Sequence, residues 1–245
     1  AKLAARAARS ATGRTAVYNP VHGASEDTQM RYEGRLRYAL EQGLLQLVFE
    51  PQLDTQTGRI GGLDCVLRWI DSELGEVPEA MALETAETAG LVREITWWIF
   101  NNAMRQSAEF TRAGLQCKLG LNVTASGLLQ ADFPEFVSRA LRTWGVPPGR
   151  VVIGIHESAL TGELAPVMDA LSRLKALGVR LGIDGFGTGS SSLSNLAKLP
   201  FDELKLSEIL VGDMQQSALH AKIVRLIVRL ARDLGLHVTA EGVGD

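Results

Sequence analysis

Two hydrophobic periods alternate along this chain. Short apolar runs at 44–53, 60–69, 119–123, 151–155, 181–184, 204–206 and 237–241 read as strands, and apolar positions at helical spacing fill the stretches between most of them. The clearest helix is 164–177, with Val167, Leu171, Leu174 and Leu177 on one face and Gly178 as its stop. The helix at 217–234 places Ile223, Leu226, Ile227 and Leu230 on one face and stops at Gly235. Further helices are predicted at 26–43, 80–88, 91–113 and from Asp132, read as an N-cap, to Trp144. Trp97, Trp98 and Phe100 read as packing residues. Upstream, 2–10 reads as a helix and 15–18 as a short strand. The segment 19–29 reads as a polar linker, and 71–79 as a polar loop.

Seven strands with short joints and intervening helices predict parallel strands and right-handed crossovers. So regular a series favours a closed barrel over an open doubly wound sheet. The fold class expected is α/β, a modified TIM (β/α)8-type barrel whose eighth strand–helix unit is missing, so that either the chain is cut short or one edge is left open.

Composition narrows this picture. With 245 residues, 46% of them hydrophobic, the chain can bury a large core without staples. A net charge of -3 gives no support for nucleic acid or an anionic membrane as partner. No apolar run is long enough to span a bilayer, and Ala1-Lys2-Leu3 is no secretory signal. The start lacks Met, which points to a fragment. Cys65 and Cys117 lie in strand-like runs without CxxC spacing and read as buried thiols of a reducing compartment, with a disulfide the less favoured alternative. The four histidines have no zinc-type spacing.

Polar residues stand at or near the carboxyl ends of the strands: Asp64, Arg68, Asn122, Glu157, Asp184, Lys205 and Glu241. In a barrel these converge on one mouth, where barrel enzymes keep their chemistry. Acidic and amide oxygens suit Mg²⁺ or Mn²⁺. A Lys and a Glu beside them suit the positioning and deprotonation of water. Each also has a structural reading: Asp64 as a paired core carboxylate, Lys205 as a snorkelling side chain, Asn122 as a loop cap.

Four segments carry a family resemblance, in the right order from about Tyr32 to the end. They are Thr57-Gly58-Arg59-Ile60-Gly61-Gly62-Leu63-Asp64-Cys65-Val66-Leu67-Arg68-Trp69, Phe186-Gly187-Thr188-Gly189-Ser190-Ser191-Ser192-Leu193, Leu199-Pro200-Phe201-Asp202-Glu203-Leu204-Lys205 and Ala240-Glu241-Gly242-Val243. Together they resemble EAL domains, the phosphodiesterases that open cyclic di-GMP. The resemblance implies a modified TIM barrel, two divalent metals and hydrolysis of one phosphodiester bond by a metal-bound water. It implies metal ligation by Asp64, Asn122 and Asp184, vestigial catalytic roles for Lys205 and Glu241, nucleotide contacts at Glu50 and Arg68, and loop anchoring by Glu157. The family continues past the last motif with one more strand and helix. Residues 1–29 resemble the tail of a GGDEF domain plus a linker, and 30–245 the EAL-type barrel, C-terminally truncated.

The departures from the family fall on the chemistry. The Glu-Ala-Leu signature reads Asp64-Cys65-Val66, which retracts the carboxylate by one methylene. A metal-binding Glu is replaced by Gly154, the second Asp of the Asp-Asp-Phe-Gly-Thr-Gly loop by Gly185, and the Gln before Pro in the first strand by Glu50. The Lys-Ile-Asp ending the sixth strand reads Lys205-Leu206-Ser207. Two divalent ions about 4 Å apart repel by about 17 kcal/mol at an effective dielectric near 20. With two carboxylates gone and one shortened, a two-metal cluster should not assemble. The three remaining ligands are expected to hold at most one weak Mg²⁺ or Mn²⁺, and no cofactor is expected. His156, on the same strand face as Gly154, is a candidate replacement ligand or a hydrogen-bonded histidine. A Glu50 carboxylate about 4 Å from a phosphate would cost about 4 kcal/mol, close to a thousandfold in affinity.

The expectation is therefore a catalytically inactive EAL-type domain with a regulatory or protein-interaction role in cyclic di-GMP signalling. The alternatives are a non-hydrolysing cyclic di-GMP receptor and a residual metal-dependent phosphodiesterase. Expected partners are other protein domains, an upstream GGDEF-like domain or a signalling partner, with cyclic di-GMP and a homodimer left open and nucleic acid not expected. The expected location is cytoplasmic, in a multidomain parent for which a membrane anchor is left open.

Overall fold

The computed structural model describes residues 20–160, 163–187, 196 and 198–243. The predicted helix 2–10 and strand 15–18 lie outside them. The chain divides into two compact units, one comprising residues to Gln46 with Arg68–Val92, the other Leu47–Leu67 with Arg93–Asp245.

In chain order the elements are α1 (Pro20–Gln42), β1 (Leu45–Asp54), β2 (Arg59–Asp71), β3 (Gly75–Val77), α2 (Glu79–Ala89), α3 (Val92–Arg112), β4 (Lys118–Val123), α4 (Ala125–Leu128), α5 (Phe133–Trp144), β5 (Val151–His156), α6 (Leu164–Ala176), β6 (Arg180–Phe186), β7 (Glu203–Leu206), α7 (Glu208–Gln216), α8 (Ala218–Asp233) and β8 (His237–Ala240). One sheet runs β1-β2-β4-β5-β6-β7-β8, with β3 paired to β2. From β2 onward along this path the neighbours are parallel. β1 and β2 are instead joined by the turn 55–58, closed by the Gly58 N–H to the Asp54 carbonyl at 2.8 Å. So short a joint requires an antiparallel pair.

In the second unit the sheet curls strongly. Lys205 on β7 lies 3.1 Å from Asp64 on β2, four places away in strand order. A flat sheet would separate them by about 19 Å. Side chains alternate between its faces. Those turned toward the helices are buried: Leu63, Cys65 and Leu67 on β2, Leu119, Leu121 and Val123 on β4, Val151, Ile153 and Ile155 on β5, and Leu204 and Leu206 on β7. This is the hydrophobic core, and truncating a residue such as Ile153 to Ala would cost about 2–5 kcal/mol. The other face is unlike the usual barrel filling of branched aliphatics. It carries Asp64, Gly120, Asn122, Gly154, Gly182, Asp184, Glu203 and Lys205.

In the first unit α1 buries Leu36 and Ala39, α2 buries Ala82 and Ala86, and Trp69 at the end of β2 is fully buried with Tyr32 edge-on at 6.3 Å. Arg35 donates from Nε to Asp71 at 2.8 Å, from Nη2 to Ser72 at 2.7 Å and from Nη1 to Glu73 at 2.8 Å. That clamp ties α1 to the β2–β3 turn.

Several expectations are corrected. The helix α1 starts at Pro20, inside the expected linker 19–29, because proline is well suited to a first helical position and turn propensity is a weak constraint. The expected loop 71–79 contains β3, whose antiparallel register Trp69↔Val77 extends the β2 hairpin. Asp132 does not cap α5 with its side chain; its carboxylate pairs with Arg93 instead. On α8 the buried residues are Val224 and Ala231, while Leu226 is 67% exposed. Helical spacing located an apolar stripe there but not the surface it meets. Cys65 is buried, Cys117 is partly exposed one residue before β4, and neither forms a disulfide among the described residues.

Candidate functional site

The site lies within the second unit, on the concave face of the sheet. A cavity of about 30 Å³ is lined by Gln52, Asp64, Asn122, Asp184, Lys205 and Thr239, among others. The parallel register explains the convergence. Asp64 pairs with Gly120, Asn122 with Gly154, and His156 with Asp184, so the polar residues and the glycines share one face.

Lys205 is the hub. Its Nζ lies 3.1 Å from Asp64 Oδ2, 3.4 Å from Asp184 Oδ1 and 2.8 Å from Glu241 Oε1. Burial disfavours the ammonium, but Asp184, Asp64 and Glu241 outweigh it, and the Lys205 pKa is raised above its ordinary value. Burial pushes the Glu241 carboxyl up, with Lys205 opposing. Asp184 Oδ1 is buried without a hydrogen-bond partner among the described residues. Asp64 is held from a second side by Gln52 Nε2, which donates to Oδ2 at 2.8 Å.

The glycines are seats for these polar groups. A Cβ at Gly120 would collide with Asp64 Oδ1, and one at Gly154 with Asn122 Oδ1. At Gly185 a Cβ would stand 2.8 Å from His156 Nε2, and the backbone there has φ +65°. The register of β6 on β7 shifts between Ile183 and Phe186, and Gly185 supplies the left-handed residue at that irregularity. His156 Nδ1 sits 2.9 Å from Ser158 Oγ and accepts from the Ser158 N–H at 3.3 Å.

Glu157 is buried directly after β5, and its carboxylate accepts from the Gly187 N–H at 3.0 Å. Glu50 is exposed on β1. Arg68 belongs to the first unit, where its Nε donates to Glu76 at 2.9 Å, both side chains largely exposed. Thus Asp64, Asn122, Asp184, Lys205 and Glu241 are brought together, while the Arg68 guanidinium is engaged by an acid of its own unit.

Two features were missed from sequence. Gln52 orients Asp64. Deeper on the same face Glu203 pairs with Lys118 at 2.8 Å and Arg180 at 3.4 Å. Period-two counting inward from the recognised residues reaches the second pair: Glu203 lies two before Lys205, and Lys118 four before Asn122.

The residues present do not fit a pair of divalent cations. Among the described residues no three His, Cys, Asp or Glu side chains form a candidate ion-binding group. Asp64 and Asp184 already face Lys205, and the spaces beside Gly154 and Gly185 are taken by Asn122 and His156.

The EAL domain family model matches residues 33–245. The chain belongs to the EAL family. An uncharacterized protein of Mycobacterium tuberculosis is 33% identical over 246 residues, covering 99% of this chain and 40% of that protein. The cyclic di-GMP phosphodiesterase PA2567 of Pseudomonas aeruginosa is 32% identical over 197 residues, covering 80% of this chain and 34% of that protein. The chain therefore spans about two fifths or less of these relatives. Among solved structures, the PaMucR phosphodiesterase in its c-di-GMP complex superposes with a TM-score of 0.83 at 31% identity, covering 88% of this chain and 87% of that one. The FimX EAL domain of Xanthomonas citri, in complex with c-di-GMP, gives 0.79 at 27% identity, covering 91% and 87%. These matches carry the barrel-like α/β fold expected from sequence. No helix among the described residues is long and apolar enough to cross a membrane.

Proposed function

We propose that this EAL domain is catalytically inactive and acts in cyclic di-GMP signalling through contacts with other protein domains. The observation that carries the reading is the filling of two ligand positions. Where the family resemblance calls for carboxylates, the chain has Gly154 and Gly185, and Asn122 and His156 occupy the adjoining space. A metal-bound water needs the negative charge that those positions would supply. Lys205 and Glu241 are then vestiges of the reactive set, and Asp64, Asn122 and Asp184 hold at most one weak Mg²⁺ or Mn²⁺. Glu157 keeps the role of loop anchor, which supports a scaffold retained after its chemistry was lost.

The upstream segment to residue 29 is proposed as the end of a GGDEF-like domain, the first partner to test, and the whole as a cytoplasmic part of a larger protein. Incubation with cyclic di-GMP and Mg²⁺ or Mn²⁺ decides the central claim. No linear dinucleotide should accumulate under conditions where the P. aeruginosa relative turns over. Turnover at a comparable rate would overthrow the reading.

The second reading is a receptor that binds cyclic di-GMP without cutting it. It is favoured by the two superposable structures, both described as complexes with that nucleotide. Arg68 and Glu50 are its proposed contacts, the first attractive and the second repulsive. Calorimetry with cyclic di-GMP in Ca²⁺ separates the readings, since absence of heat at high nucleotide concentration eliminates the receptor. If nucleotide binds, Glu50→Gln should tighten it about tenfold or more.

A further inference from the structure

We propose that the Lys205 ammonium is the resident cation of this mouth, holding Asp64, Asp184 and Glu241 together where the family would place divalent ions. The inference rests on the reading that no two-metal centre assembles here, and adds what replaces it.

Asp64 on β2 and Asp184 in β6 line one small cavity, and Glu241, directly after β8, meets the same Lys205. Without a counter-charge they would repel one another and open the curl of the sheet. Lys205 reaches all three within 3.4 Å while its side chain is only 15% exposed. An ammonium has three donors and no fixed plane, so it can face three acids at once. The neighbours reinforce this seat. Gln52 holds Asp64 toward Nζ by its 2.8 Å hydrogen bond, and Gly120 leaves the room in which Asp64 leans. Asn122, the remaining candidate ligand, is turned over Gly154. A soluble cation entering this mouth would have to displace a tethered one that never leaves.

Thermal unfolding with EDTA and with millimolar Mn²⁺ tests this on the wild type, Lys205→Met, and Lys205→Met combined with Glu241→Gln. The wild-type midpoint should be the same with and without Mn²⁺. Lys205→Met should melt at least about 5 °C lower in EDTA, and Mn²⁺ should raise its midpoint by binding the freed carboxylates. The double variant should recover part of the loss without metal, because one of the repelling charges is gone. A wild-type midpoint raised by Mn²⁺ would overturn the inference, as would a Lys205→Met protein melting with the wild type. If Lys205→Met does not fold, a Mn²⁺ titration of the wild type by electron paramagnetic resonance decides: no tight ion is expected, and a tightly bound ion refutes. Turnover of cyclic di-GMP is a separate readout. A wild type that binds Mn²⁺ yet does not turn over sinks this inference and leaves the inactive reading standing.

Discussion

Asn122 and Gly154 are register partners on β4 and β5, and the Asn122 Oδ1 fills the space where a side chain at 154 would begin. The lost carboxylate at 154 and the amide beside it thus form one packed unit. The same relation links Gly185 to the His156 ring, but there the backbone adds a second constraint. The two positions should therefore respond differently to restoration.

At Gly154 the obstacle is the tip of a side chain, which can rotate away. Replacing a strand glycine also lowers the entropy lost on folding, by about 0.5–1 kcal/mol. Gly154→Ala should change stability by less than about 1 kcal/mol. At Gly185 any side chain meets a left-handed backbone, costing about 1–2 kcal/mol before His156 is moved. Gly185→Ala should be destabilising by at least that much. Denaturant unfolding of the two variants checks the ordering, and an equal effect would contradict the geometry. It follows that Gly185→Asp alone should weaken the fold rather than restore metal binding.

Glu157 and Gly187 make a second testable pair. The buried carboxylate accepts from the Gly187 N–H, so Glu157→Ala leaves that donor without this acceptor. Gly187 is itself exposed, so water can reach the released N–H and the cost should be about 1 kcal/mol. Glu157→Gln keeps the shape and one acceptor oxygen. Hydrogen exchange of the Gly187 amide should quicken strongly in the Ala variant and much less in the Gln variant.

Arg35 sets a pH dependence in the first unit. Burial pushes the Asp71 carboxyl up, but the Arg35 hydrogen bond and the Glu73 and Leu74 N–H groups outweigh it, and the folded pKa lies below the ordinary value. A depressed carboxylate contributes stability that is present above the unfolded pKa and is lost as pH falls through the folded one. The wild-type contribution should thus be complete at neutral pH and fade below about pH 4. Arg35→Ala should lower the melting temperature at pH 7 and shrink the acid-side loss, as melts between pH 3 and pH 7 would reveal. An unchanged pH profile in the variant would count against the clamp.

Glu203 stands between two cations, Lys118 and Arg180, on the concave face. Glu203→Gln leaves both without their counter-charge. Since Lys118 and Arg180 are partly solvated, the cost should be about 1–3 kcal/mol rather than that of a fully buried pair. Unfolding of Glu203→Gln and of Glu203→Gln/Lys118→Met compares the terms. The second change should relieve part of the first.

Every strand but β3, most helices and the family were legible in the chain alone. These depend on local period and on short motifs such as Phe186-Gly187 and Ala240-Glu241-Gly242-Val243, which are visible in linear order. The sequence also located the convergent residues Asp64, Asn122, Asp184, Lys205 and Glu241, because strand ends of a parallel sheet share one side. What those residues do to one another came from the folded chain. That Lys205 meets three acids at once depends on the curl that brings β7 to β2. That Asn122 and His156 stand in the spaces left by Gly154 and Gly185 depends on register between strands, which pairs residues far apart in the chain. The α8 stripe makes the same point from the opposite side. Its spacing announced an apolar face, but burial is a property of two surfaces, and a sequence pattern describes only one of them.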